Sequence, residues 1–201
     1  MQITPVQFVR PQERSTGLRQ EFGVARNVAA SGLVRPIHRV RIVISSSRDT
    51  SSRTRSFLNY LEYIFPFSVK VNRGKRNLEE VFRIARVLGG ELLLLVNVFK
   101  GNPSSLEVYD VISGERLYHF LIQSLRLRSD YEKISLYNTR RILCIRETEY
   151  GCTKVNSLLI DLGATRTREC TVHAEVKFDN GCNVRFVDSM NREILFMGLA
   201  E

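Results

Sequence analysis

Hydrophobic positions along this chain have two textures, changing period repeatedly between residues 38 and 99 and mostly alternating after 104. Residues 38–44 (HRVRIVI) alternate and are β-branched, which predicts a strand. Phe57, Leu58, Leu61, Ile64 and Phe65 then mark one helical face, and Pro66 stops the pattern. Ser51 or Ser52 is placed to cap that helix, because a hydroxyl there accepts a free first-turn amide. Residues 68–71 predict a short strand. Asn77 then caps a second helix with Leu78, Val81, Phe82, Ala85 and Leu88 inward. Glu79 and Arg83 stand four apart in the favourable order, and Gly89-Gly90 provides a stop. Residues 91–99 are apolar enough for a central strand buried on both faces.

Beyond that strand, residues 105–112 and 116–125 alternate around Ser113-Gly114 and predict a hairpin. Short strands are expected at 133–137, 141–146, 157–162, 171–178, 183–188 and 193–197, with a tight turn at 179–182. Apart from a short helix around residues 19–29 in the N-terminal segment, no third helix is legible, and no internal repeat. The expected fold is therefore α/β: a mixed sheet opening β-α-β-α-β, with a strand-rich C-terminal half. Residues 1–36, with Pro5, Pro11, Pro36 and scattered Arg, read as a basic arm preceding a domain at 37–201. Within that domain, 37–125 form the α/β half and 126–201 the strand-rich half. The arm shows no signal-peptide pattern, and Glu13 and Glu21 argue against a transit segment. No apolar run approaches a membrane span.

Charge sharpens the picture. The 201 residues carry a formal net charge of +9, which favours nucleic acid or another anionic surface. Residues 37–101 hold twelve Lys or Arg against five acids, whereas 102–201 hold thirteen against fourteen. The excess belongs to the first half, where three polar segments each follow a predicted strand: 45–55 (SSSRDTSSRTR), 72–76 (NRGKR) and 100–103 (KGNP). In an α/β unit that places all three near the carboxyl edge of the sheet, where ligands usually bind. Hydroxyls, glycine amides and guanidinium groups suit phosphate, and the start of a helix adds a partial positive charge. Ser47, Arg48, Arg53, Arg55, Asn72, Arg73, Gly74, Lys75, Arg76, Lys100, Gly101 and Asn102 are the candidate residues for binding a polyanion such as a nucleic acid. Gly74 and Gly101 would let backbone approach a phosphate closely.

There is no Gly-x-x-x-x-Gly-Lys-Ser/Thr and no Gly-x-Gly-x-x-Gly, so a chain of phosphates fits better than one bound nucleotide. Tyr60 and Tyr63 are candidates to stack on unpaired bases; the competing reading packs them at the core edge with hydroxyls exposed. Cys144, Cys152, Cys170 and Cys182 form no Cys-x-x-Cys pair, and His38, His119 and His173 add no ligand spacing. The cysteines are expected as reduced thiols. No metal, cofactor or small-molecule substrate is expected, and no serine has a convincing base, so the chain reads as a non-enzyme.

Six pieces, in this order and spacing, resemble the Brix domain family of ribosome-biogenesis factors. They are ISSSRD (44–49), SSRTRSF (51–57), FP (65–66), NRGK (72–75), LLLV (93–96), and KGNP with LEVY (100–103 and 106–109). The resemblance spans about a third of the chain and is nearest to compact archaeal members and to the subgroup working on small-subunit precursor RNA. It implies a fold similar to the anticodon-binding domain of class II aminoacyl-tRNA synthetases. It also implies binding to pre-ribosomal RNA without catalysis, and ribosomal proteins or other assembly factors as partners. The location implied is cytoplasmic for an archaeal-type member and nucleolar for a eukaryotic one. The further basic motif and helix of eukaryotic members are not legible between Arg126 and Thr171. The alternative function is a protein-interaction scaffold within a pre-ribosomal assembly, touching RNA little. A third, a synthetase's anticodon-binding module, lacks any accompanying catalytic motif.

Overall fold

The apolar runs become strands and helices largely where their periods predict. The structure, a computed structural model, describes residues 40–48, 50–132, 142–148, 150–167 and 169–201. The arm at 1–36 and the strand expected at 133–137 lie outside the described residues.

Strand β1 (Ile42–Ser46) is buried throughout. Helix α1 (Ser52–Ile64) starts at Ser51, whose Oγ accepts from the Thr54 amide at 3.1 Å. Its face of Phe57, Leu58, Leu61 and Ile64 is buried, as the spacing requires. Strand β2 (Ser68–Lys70) leads to helix α2 (Leu78–Val87). There Asn77 Oδ1 accepts from the Glu80 amide while Glu80 Oε2 accepts from the Asn77 amide, each at 2.8 Å. This reciprocal cap satisfies two amides that a helix start leaves open. Asn77→Ala should therefore cost about 1 kcal/mol and lower the thermal midpoint by about 2–4 °C, read by circular dichroism. Val81 and Ala85 are buried, but Leu88, expected inward, is the C-cap residue and is exposed. The helix ends at Val87, one residue before the apolar spacing does.

Next come β3 (Leu92–Phe99), β4 (Asn102–Asp110) and β5 (Arg116–Leu127). A 3-10 turn follows at Arg128–Asp130. The second half contains β6 (Leu143–Glu147), helix α3 (Thr153–Asp161), β7 (Val172–Phe178), β8 (Cys182–Asp188) and β9 (Glu193–Ala200). The nine strands of the described residues form one sheet in the order β2-β1-β3-β4-β5-β9-β8-β7-β6. Strands β2, β1 and β3 are parallel, as are β6 and β7; the remaining neighbours are antiparallel.

The first crossover moves outward from β1 to β2, and the second returns past β1 to β3. Crossovers of one hand running in opposite directions place their helices on opposite faces. Accordingly α1 packs on Ile42, Ile44, Leu94 and Val96, whereas α2 packs on Val43, Leu93 and Val111. Helix α3 lies in the same core as α1, through Val155, Leu158, Leu159 and Leu162. Tyr118 of β5 donates to Asp161 at the end of α3 at 2.5 Å. Burial and the Asp161 carboxylate push that phenol up to about 12.

Three further expectations are corrected. Residues 157–162, expected as a strand, lie mostly in α3, because Val155, Leu158, Leu159 and Leu162 recur at helical spacing and bury one face. The absence of an internal repeat holds for the residues and fails for the topology. Counted outward from the β5–β9 seam, β5-β4-β3-β1 and β9-β8-β7-β6 have the same order and relative directions. The cysteines are not free thiols. Cys144 pairs with Cys170 and Cys152 with Cys182, at Cα separations of 5.9 and 5.6 Å. Pairing β6 beside β7, and the β7–β8 hairpin beside the turn before α3, brings them together.

Candidate nucleic-acid interface

Because β1, β2 and β3 are parallel, the segments that follow them leave the sheet from one edge. The first continues to α1 on one face and the second to α2 on the other. A parting of this kind is a topological switch point, the usual ligand crevice of an open α/β sheet.

Hydrogen bonds join the three segments. Ser45 Oγ donates to the Val71 carbonyl at 2.9 Å, tying β1 to the loop after β2. Ser46 and Thr50 share a hydroxyl bond of 2.8 Å. Ser47 Oγ accepts from the Val98 amide at 3.0 Å, joining the first segment to the end of β3. Ser45 and Ser46 are fully buried, so much of the serine run staples the strand ends. Thr54 Oγ1 approaches the Gly101 carbonyl at 3.4 Å, which sets the start of α1 against the turn after β3.

Cations surround this frame. Arg73 is half-buried; its Nη1 approaches the Ser46 carbonyl at 3.5 Å and its Nε donates to the Arg76 carbonyl at 3.1 Å. Burial, and next the Arg48 charge, pull its pKa below the ordinary arginine value. Two guanidinium groups held within electrostatic reach repel each other, and an anion between them would remove that cost. Arg76 Nη1 donates to the Asn72 carbonyl at 3.1 Å, closing the loop on itself. Gly74 has φ +55°, and a Cβ there would meet nothing within 4 Å, so glycine is required by conformation rather than by space.

The turn after β3 has two left-handed residues, Lys100 at φ +48° and Gly101 at φ +80°. Asparagine or glycine adopts the first conformation more cheaply; for lysine it costs about 1–2 kcal/mol.

The edge thus gathers Ser47, Arg48, Asn72, Arg73, Gly74, Lys75, Arg76, Lys100, Gly101 and Asn102. Arg55, in the first turn of α1, approaches the Thr50 carbonyl at 3.4 Å. Arg53 is turned toward β5, donating to the Leu125 carbonyl and to Asp130, each at 3.1 Å. A cavity of about 220 Å³ opens between Arg53, Asn102, Gln123 and Leu125. Tyr60 is not available to stack: it is 2% exposed, and its hydroxyl accepts from the Ser129 amide at 2.9 Å. That hydroxyl is therefore not free at the surface either. Tyr63 packs against the α1-side core.

An aromatic that sequence reasoning absorbed into the core is Phe99, the last residue of β3, which is 65% exposed at this edge. The Lys-Gly turn after it was the available signal. Among the described residues no group of three or more His, Cys, Asp or Glu is placed to hold a metal.

No family model matches the chain. It is 38% identical over 155 residues to the "Probable Brix domain-containing ribosomal biogenesis protein" of Saccharolobus solfataricus, covering 75% of this chain and 90% of that one. Among solved structures it is similar to a probable ribosomal biogenesis protein from Aeropyrum pernix K1, with TM-score 0.68, 22% identity, and coverage of 81% and 96% of the two chains. It is also similar to Mil, an archaeal Imp4-like protein, with TM-score 0.62, 19% identity, and coverage of 79% and 97%. These two likenesses extend the shared fold across the second half, beyond the stretch where the motifs lie. With the motif series and the long sequence match together, the chain belongs to the Brix domain family of ribosomal biogenesis proteins.

Proposed function

We propose that this chain is a ribosome-biogenesis factor that binds pre-ribosomal RNA along the carboxyl edge of β1, β2 and β3 and assists its folding or processing. The observation that carries the proposal is the convergence of three cation-bearing segments there, joined by hydrogen bonds between Ser45 and Val71, Ser47 and Val98, and Thr54 and Gly101. Arg48, Arg55, Arg73, Lys75, Arg76 and Lys100 neutralise successive phosphates. Such contacts position an RNA without reading its sequence. A small-subunit precursor is the favoured RNA, because the early motifs resemble that subgroup and a structural neighbour is Imp4-like.

Purified protein titrated with pre-ribosomal RNA fragments across a salt series tests this. Six phosphate contacts should give a log–log slope of roughly −4 to −5. Absence of binding at moderate salt would overturn the proposal in favour of a protein-interaction scaffold.

A further inference from the structure

We infer that Phe99 is a stacking platform for an unpaired base, which makes the preferred ligand an RNA with a single-stranded segment beside its phosphate contacts. This rests on the RNA reading above and adds to it a residue and a ligand class.

Phe99 pairs with Asn102 across the two-residue Lys100-Gly101 turn, immediately after a register shift between Asn97 and Val98. Irregularities of this kind re-aim side chains at the end of a ladder. The residue is left 65% exposed, with the Lys100 ammonium 5.4 Å from the ring centroid. An exposed phenylalanine alone means little, since single apolar side chains are common on surfaces. Here three further observations coincide. The neighbouring lysine keeps a left-handed backbone that other residues hold more cheaply. Its ammonium takes part of the ring surface, and the exposure leaves the rest open to a base. Finally, Val98, the residue before Phe99, is hydrogen-bonded to Ser47, the residue before Arg48. The ring therefore sits one residue from the frame that holds Arg48 and Arg73.

Bases within a duplex are already stacked on their neighbours, so only an unpaired base can lie on such a ring. Base–aromatic stacking tolerates any base, because each has a π face. The edge would then fix a single strand by its phosphates and one splayed base without selecting sequence.

Equilibrium binding of an unstructured RNA oligonucleotide and of a blunt duplex of equal length tests the proposal at fixed salt. Phe99→Ala should weaken the single strand by roughly ten- to a hundredfold and leave the duplex unchanged. Phe99→Leu should behave like Phe99→Ala, and Phe99→Tyr like the parent. Because the chain contains no tryptophan, Phe99→Trp gives one reporter, whose fluorescence the single strand should quench and the duplex should not. An equal loss on both RNAs, no loss on the single strand, or equal quenching by both would overturn the stacking role while leaving phosphate binding intact. If the parent protein bound neither RNA and Phe99 governed only protein capture, both this inference and the RNA reading would fall.

Discussion

Reduction of the disulfides is expected to lower the thermal midpoint by about 10 °C for each bridge. Cys144–Cys170 and Cys152–Cys182 span 26 and 30 residues of sequence. Closing loops of that length removes enough freedom from the unfolded chain to stabilise by about 3.5 kcal/mol each. For a domain of this size 1 kcal/mol moves the midpoint by about 2–4 °C. Against a typical total stability of about 5–15 kcal/mol, one bridge is a large share. The loops interleave, so the two contributions should not add fully. Melts with and without reductant, repeated on Cys144→Ala/Cys170→Ala and Cys152→Ala/Cys182→Ala, would measure them. Thiol titration of the denatured, unreduced protein should find none of its four cysteines free. Four titratable thiols, with a midpoint indifferent to reductant, would remove both bridges from the account.

The triple change Arg73→Ala/Lys75→Ala/Arg76→Ala should reduce the salt slope of RNA binding by about two to three, at roughly 0.7 to 0.9 per phosphate contact. Arg73 and Arg76 also hold carbonyls of their own loop, so loosening of that loop must be separated from lost charge. Lys75→Ala provides the separation: its side chain is exposed, and it should reduce the slope by about 0.7 to 0.9 with an unchanged melting midpoint. An unchanged slope in the triple variant would dissociate this loop from RNA.

The first half was legible because its signals are local. Ser51 and Asn77 cap helices where their side chains meet the next turn, Gly89 ends one, and the faces of α1 follow from spacing alone. Helix α3 was hidden although Val155, Leu158, Leu159 and Leu162 repeat at helical spacing. Its apolar part is short, and the residues before it offer no hydroxyl or acidic cap; Cys152 occupies the N-cap without a side-chain bond. The site was partly legible. Composition placed cations in three segments, and the alternation of strands and helices placed the segments at one edge. Nothing in the residues themselves indicated that Arg53 would turn to Asp130, that Tyr60 would be buried under the Ser129 amide, or that Phe99 would emerge.

The sequence by itself determined the two capped helices, the buried strand between the basic segments, the charge imbalance and the motif series that carries the family resemblance. These depend on neighbours within a few residues, or on simple counts. Tertiary structure decided the pairing of the cysteines, the repeated strand order across the β5–β9 seam, and the approach of Arg73 to the Ser46 carbonyl. Each of those joins residues about 25 or more positions apart. Strand register and crossover direction set such distances, and neither leaves a mark on any single stretch of chain.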